Sequence, residues 1–166
     1  MKTLKINLIL TLGLFLLLSV TTVQGDGAFD AAVNTLKQDC KDLIKGTRYE
    51  GSKITYFNGG SKQTKSVELF MFLPNEYQIA IGCKKAVSPV TIRIYDAPAD
   101  VSERTLVKEY KNMQGKNFTI STKDLNAAYR KKVPELERLK NVHIEYSIGA
   151  GKSGKEAIVL VYGHKA

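Results

Sequence analysis

Residues 149–154 read Gly-Ala-Gly-Lys-Ser-Gly, a G-x-G-x-x-G pattern, and Gly151-Lys152-Ser153 within it has the form of a Walker A ending. Either motif would bind a nucleotide. Glycines let backbone N–H groups close on phosphates, and a following helix points its N-terminus at the charge. Both therefore need strand, loop, helix. Here VHIEYSI (142–148) alternates, with Val142, Ile144, Tyr146 and Ile148 on one face. The segment after the loop, EAIVLVYG (156–163), is rich in β-branched residues and reads as a second strand. A Walker A loop ending at Gly151-Lys152-Ser153 also requires Gly where Tyr146 stands. One ending at Gly154-Lys155 requires Ser or Thr where Glu156 stands. The stretch predicts a hairpin loop, with no nucleotide partner and no cofactor.

His143 and Glu145 lie two apart on one face of a strand, and His164 closes the next strand. A His–carboxylate pair is half of an acid/base site. No G-x-S-x-G nucleophile motif accompanies it, so no catalytic residue is assigned, and a hydrolase around His143, Glu145 and His164 stands only as an alternative. Two histidines and two cysteines far apart in sequence do not make metal-ligand spacing. Asp96, Asp100 and Glu103 lack the dense alternation of a calcium loop. Asn117-Phe118-Thr119 is a glycosylation sequon, meaningful only in a eukaryotic secretory pathway.

The remaining chemistry is charge. The 166 residues carry 25 Lys+Arg against 16 Asp+Glu, a net +9. Arg130-Lys131-Lys132 is the densest basic point, and Lys152 and Lys155 flank it in candidacy from the last hairpin loop. If they converge, these five residues form an anion-binding surface that holds an anionic polymer weakly and loses it as salt rises. Without interleaved aromatics, base-specific recognition of nucleic acid is not expected.

Lys2 and Lys5 precede an apolar run from Ile6 to Val20, followed by small residues up to Gly25. This is the pattern of a cleaved secretory signal, residues 1–25. The run is shorter than the roughly 20 residues of a spanning helix, so no membrane span is expected after cleavage. The rest, residues 26–166, is the size of one domain and would be secreted: periplasmic, on the cell surface, or extracellular. Loss of Lys2 and Lys5 leaves 23 basic residues against 16 acidic, a net +7. In an oxidising compartment Cys40 and Cys83 predict one disulfide, closing a loop of 43 residues worth about 4 kcal/mol.

The elements that position these residues follow from periodicity. Phe29, Val33, Leu36, Cys40, Leu43 and Ile44 recur at three and four, predicting a helix over 29–45 with Asp30 as N-cap and Gly46 beyond its end. From Lys53 the period is two. KITYF, SVELFMFLP, EYQIAIGCK and VTIRIYDA read as strands separated by Gly/Asn/Pro turns. LVKEY (106–110) and NFTIS (117–121) are shorter strands. Ser121 opens an S-x-x-D capping box for a helix, and PELERLK reads as a further helical turn. ELFMFL and AIVLVY are too continuously apolar to leave one face in water, which implies two packed sheets. The expected fold is α+β: a mostly antiparallel β-sandwich of six to eight strands, with the N-terminal helix packed on it and a short helical insert.

In YQIAIGCKKAVSPVTIRIYDA (77–97), a strand ending in Cys, a short turn and a strand ending Ile-Tyr-Asp follow one another. Together with the closing AIVLVYG, this resembles the core hairpin and last strand of the prepeptidase C-terminal type β-sandwiches of secreted bacterial proteins. Lys84-Lys85-Ala86-Val87 stand where that group carries acids. The resemblance implies a sandwich with an accessory or binding role. The reading is thus a non-enzymatic binding or accessory module, with a protein or glycan partner of unknown identity. A polyanion-binding protein is the alternative.

Overall fold

The computed structural model describes residues 26–71, 76–136 and 138–165. The expected signal, residues 1–25, lies outside the described residues, as does the end of the expected strand 66–74. The chain divides into two compact units, Met1–Asp30 and Ala31–Ala166. The described part of the first is the opening of a helix, and the second holds the sandwich.

Helix α1 (Asp26–Leu43) starts earlier than Asp30; Ala28 favours this extension, whereas Asp26 and Gly27 are poor helix formers. Asp30 is therefore an acid near the positive end of the helix and not its cap. The buried stripe is Val33, Leu36, Cys40 and Ile44, while Leu43 is 47% exposed. Gly46, at φ +94°, turns the chain out of the helix, as its position predicts.

Among the described residues eight strands follow: β1 (Arg48–Asn58), β2 (Gln63–Phe70), β3 (Tyr77–Gly82), β4 (Val90–Tyr95), β5 (Leu106–Tyr110), β6 (Asn117–Ser121), β7 (Asn141–Ile148) and β8 (Lys155–His164). Helix α2 (Thr122–Arg130) lies between β6 and β7. One sheet has the order β1-β8-β3-β6 and the other β2-β7-β4-β5. All strand pairs are antiparallel. The α+β sandwich is thus observed, with each sheet four strands wide. The capping box is also in place: Ser121 Oγ accepts from the Asp124 N–H at 3.0 Å and donates to its carboxylate at 2.7 Å. Residues 134–136 form a turn and not a further helix, and Leu139 plugs the core beyond them.

Ile79, Ile81, Val90, Ile92, Ile94, Val142, Ile144, Ile148, Ile158 and Leu160 meet between the sheets. The continuity of AIVLVY has the predicted cause, since β8 is central and buried on both faces. Ile158 and Leu160 face the other sheet, and Ala157, Val159 and Val161 are buried on the opposite face. The apolar continuity of ELFMFL has a different meaning. β2 is an edge strand on which Val67 and Leu69 point inward and Phe70 is 64% exposed.

Gly82 in β3 is where the helix stripe meets the sheet. A Cβ there would stand 2.6 Å from Cys40 Sγ and 2.8 Å from Leu36 Cδ1. This contact corrects the expected disulfide. Cys40 lies against the outer face of β3 at Gly82, whereas Cys83, one residue on, belongs to the cluster between the sheets. Strand alternation puts successive side chains on opposite faces, and the two cysteines are free, buried thiols. Burial pushes the Cys40 thiol up to about 11, and the neighbouring Asp39 adds to the rise. Burial likewise takes Cys83 up to about 12.

Gly82→Ala overpacks the helix–sheet contact and should lower unfolding free energy in urea by about 1–3 kcal/mol; no loss would show that the helix does not press on β3. At pH 8 a thiol reagent should find almost no reactive cysteine in the native protein and two after unfolding. Zero in both states would restore the bridge. Because each folded thiol keeps its proton above the ordinary value of 9.0, the unfolded chain releases protons first. This contribution to stability is whole below pH 9 and declines as pH rises from 9 towards 11–12.

Candidate functional site

The outward face of the β2-β7-β4-β5 sheet carries the polar residues that alternate with its core. Cross-strand register sets Glu68 opposite His143 and Ser66 opposite Glu145. On the other side of β7, Tyr95 lies opposite His143 and Arg93 opposite Glu145. His143 Nε2 is 3.5 Å from Glu68 Oε1, and Asn141 donates to the same oxygen at 3.3 Å. Arg93 reaches sideways to Glu109 at 2.8 Å. Lys111 and then Arg93 hydrogen-bond the Glu109 carboxyl and hold it below the usual range.

A loop, residues 96–105, folds over this face. At its base the Asp96 N–H donates to the Thr105 carbonyl at 3.3 Å, and the Asp96 carboxylate accepts from the Thr105 N–H at 2.6 Å. The second carboxylate oxygen accepts from Tyr129 OH at 3.1 Å. Burial, reinforced by that bond to Asp96, raises the Tyr129 hydroxyl above its ordinary value. A turn closed by Val101 N–H on the Pro98 carbonyl forms the loop tip. Arg104 lies 3.8 Å above the Tyr95 ring and donates from Nη1 to Glu145 Oε1 at 2.7 Å. That hydrogen bond raises the guanidinium still further above its ordinary value.

Between loop and sheet is a cleft of about 380 Å³, lined by Ser66, Glu68, Asp100, Arg104, His143 and Glu145 with Pro98 and Ala99 at its wall. His143 is 7% and Glu145 8% exposed, unusual for polar side chains on an outward sheet face. The lining offers carboxylate acceptors beside one fixed guanidinium. Ser66 is in the cleft, but among the described residues no hydrogen bond joins it to His143, so the arrangement lacks an activated nucleophile. Among the described residues no group of three His, Cys, Asp or Glu is placed to hold a metal.

The sequence-predicted residues separate in space. His143 and Glu145 share the cleft. His164 is on β8 in the other sheet, with its Nδ1 2.6 Å from Glu50 Oε1 and its ring against Tyr77. Lys131 and Lys132 follow α2 and line a second pocket with Lys108 and Thr119, while Arg130 is exposed in the last helical turn. Lys152 lies in the β7–β8 connection and Lys155 opens β8, both beyond Ile148. The Lys132 ammonium donates to the Leu106 carbonyl, and Leu106 pairs with Tyr95 opposite His143, near the start of β7. The two basic groups thus stand towards opposite ends of that strand. Glu68, Arg104, Tyr95 and Lys108 were not singled out from sequence. Alternation places Glu68 on an outward face, but its pairing with His143 is set by register alone.

The glycine stretch is flanked by strands, as expected, but β7 and β8 belong to different sheets, so it is a crossover between the sheets and not the expected hairpin loop. Glu156, standing where a Walker loop needs a hydroxyl, is 1% exposed. Its carboxylate accepts from the N–H groups of Val87 at 2.8 Å and Ser88 at 3.0 Å, and from the Ser88 hydroxyl. The Gly149 N–H donates to the Pro89 carbonyl at 2.9 Å, and a Cβ on Gly151 would stand 2.1 Å from Ser88 Oγ. Asp96, considered for calcium, is committed to Thr105 and Tyr129.

No protein-family model matches the chain, and no curated protein matches it. No helix among the described residues is long and apolar enough to cross a membrane.

Proposed function

We propose that this protein is a secreted, non-enzymatic binding or accessory module whose ligand surface is the outward face of the β2-β7-β4-β5 sheet. The observation that carries the reading is the burial of His143 and Glu145 in a cleft walled by a loop pinned at Asp96 and Thr105. A sheet face that merely meets solvent leaves such side chains exposed. Here a loop is anchored by three hydrogen bonds at its base, and Arg104 is fixed against Tyr95 and Glu145. Preorganised walls reduce the ordering cost of binding. The convergent polar groups suit a polar partner, a glycan chain or a protein segment, that exchanges hydrogen bonds with Glu68, Glu145 and Arg104.

The basic start and apolar run of residues 2–20 support export, and the resemblance of 77–97 to prepeptidase C-terminal type sandwiches supports an accessory role. Pairing of His143 with Glu68, and of Glu145 with Arg104, supports recognition over hydrolysis, since neither pair addresses a nucleophile.

Affinity capture from the extracellular fraction of the source cells tests this reading, comparing the wild type with Arg104→Ala and Glu145→Gln variants whose circular dichroism is unchanged. The partner recovered by the wild type should fall at least tenfold with either variant. Equal recovery would remove the cleft from consideration. Turnover of an ester or glycoside that His143→Ala abolishes would replace the binding module with a hydrolase.

A further inference from the structure

A second concavity, of about 370 Å³, opens where α2 packs across β5 and β6, the edge strands of the two sheets. Its polar lining is Lys108 from β5, Thr119 from β6, Asp124 from α2, and Lys131 and Lys132 from the residues after α2. Ala127 and Ala128 keep the helix side shallow, and the Tyr110 ring, packed 4.9 Å from Phe118, forms the floor.

Three lysines and one acid line this concavity. That carboxylate is engaged, since Asp124 closes the capping box with Ser121. None of the three lysines makes an ion pair among the described residues, in contrast to Lys84 with Asp39, Lys111 with Glu109 and Lys165 with Glu76. The Lys132 ammonium is held at the rim by the Leu106 carbonyl. Lys108 sits 5.8 Å from the Tyr110 ring centroid. The carbonyl end of α2 favours cations nearby, which accounts for Lys131 and Lys132. It does not account for Lys108, which arrives from another element and turns a helix-end pair into a three-sided cationic pocket.

We infer that this pocket is a binding site for a tetrahedral oxyanion, a phosphate or sulfate group, held by Lys108, Lys131 and Lys132 with the Thr119 hydroxyl as a further donor. Lysines act as point charges and lack the planar fork that arginine offers, so the site discriminates weakly between phosphate and sulfate. The group is either a free ion or an ester on a glycan chain. The site is independent of the cleft on the outward sheet face. It gives Lys131 and Lys132 a defined partner without requiring Lys152 and Lys155.

The test is a titration followed by backbone amide chemical shifts, using the whole secreted chain. The probes are inorganic phosphate, inorganic sulfate and a heparin-derived sulfated tetrasaccharide. Saturable shifts should centre on Thr119, Ala127 and Ala128 and weaken as NaCl rises. A tetrasaccharide half-saturating well below the free ions assigns the group to a sulfated glycan; equal half-saturation assigns it to the free ion. The double variant Lys108→Gln/Lys131→Gln should weaken binding at least tenfold. The charge-matched control Lys53→Gln/Lys62→Gln, on β1 and in the turn after it, should stay within twofold of the wild type. Equal weakening by both pairs would reduce the effect to net charge and overturn the site, as would the absence of any saturable shift.

Discussion

Four connections carry the chain between the sheets at one end of the sandwich, and three of them, all but residues 111–116, are fastened to one another by a buried carboxylate and the backbone hydrogen bonds beside it. The chain passes from β1 to β2 through residues 59–62, from β3 to β4 through residues 83–89, and from β7 to β8 through residues 149–154. Glu156, at the start of β8, accepts from the backbone of Val87 and Ser88 in the second connection. The third meets the second through Gly149 and Pro89, and meets the first where the Gly59 N–H donates to the Gly154 carbonyl at 2.6 Å. A buried carboxylate is tolerable only when its oxygens are satisfied, and this one is satisfied by the turn it must hold. Register follows from the same junction: β7 and β8 leave it as the central strands of the two sheets, and each sets its neighbours.

From that register the surface chemistry follows. β7 is central in its sheet, so His143 and Glu145 are flanked on both sides, by Glu68 and Ser66 of β2 and by Tyr95 and Arg93 of β4. A slip of one residue would turn His143 and Glu145 into the core and bring Ile144 and Tyr146 out. The inward cost of this choice is visible at Tyr146, whose hydroxyl is buried without a hydrogen-bond partner among the described residues and is held well above its ordinary pKa by burial.

Local periodicity carried much of the fold. The stripe Val33–Leu36–Cys40–Ile44, the alternation of β3, β4 and β7, the capping box at Ser121 and the strand character of residues 156–163 are all short-range patterns, and all are realised. What required the folded chain was choice of face. Periodicity shows that Cys40 and Cys83 are both buried, yet not that they meet the sheet from opposite sides. It gives Phe70 the same apolar character as Leu69 although β2 is an edge strand. The candidate cleft was half legible for the same reason. His143 and Glu145 announce themselves by a spacing of two, whereas Arg104 reaches Glu145 from a loop 41 residues away and Glu68 meets His143 from the edge strand β2. Lys131 and Lys132 are conspicuous as a run, but only the packing of α2 on β5 supplies Lys108.

The GAGKSGK stretch and the turn at 87–89 form one structural junction locked by Glu156. Urea unfolding of Glu156→Ala and Glu156→Gln, with Lys152→Ala as a reference in the same loop, measures it directly. Glu156→Ala leaves two backbone N–H groups and a hydroxyl without their acceptor and should lose about 3 kcal/mol or more. Glu156→Gln keeps one acceptor oxygen and should lose less, while Lys152→Ala should stay within about 0.5 kcal/mol of the wild type. A Glu156→Ala protein as stable as Lys152→Ala would contradict the junction.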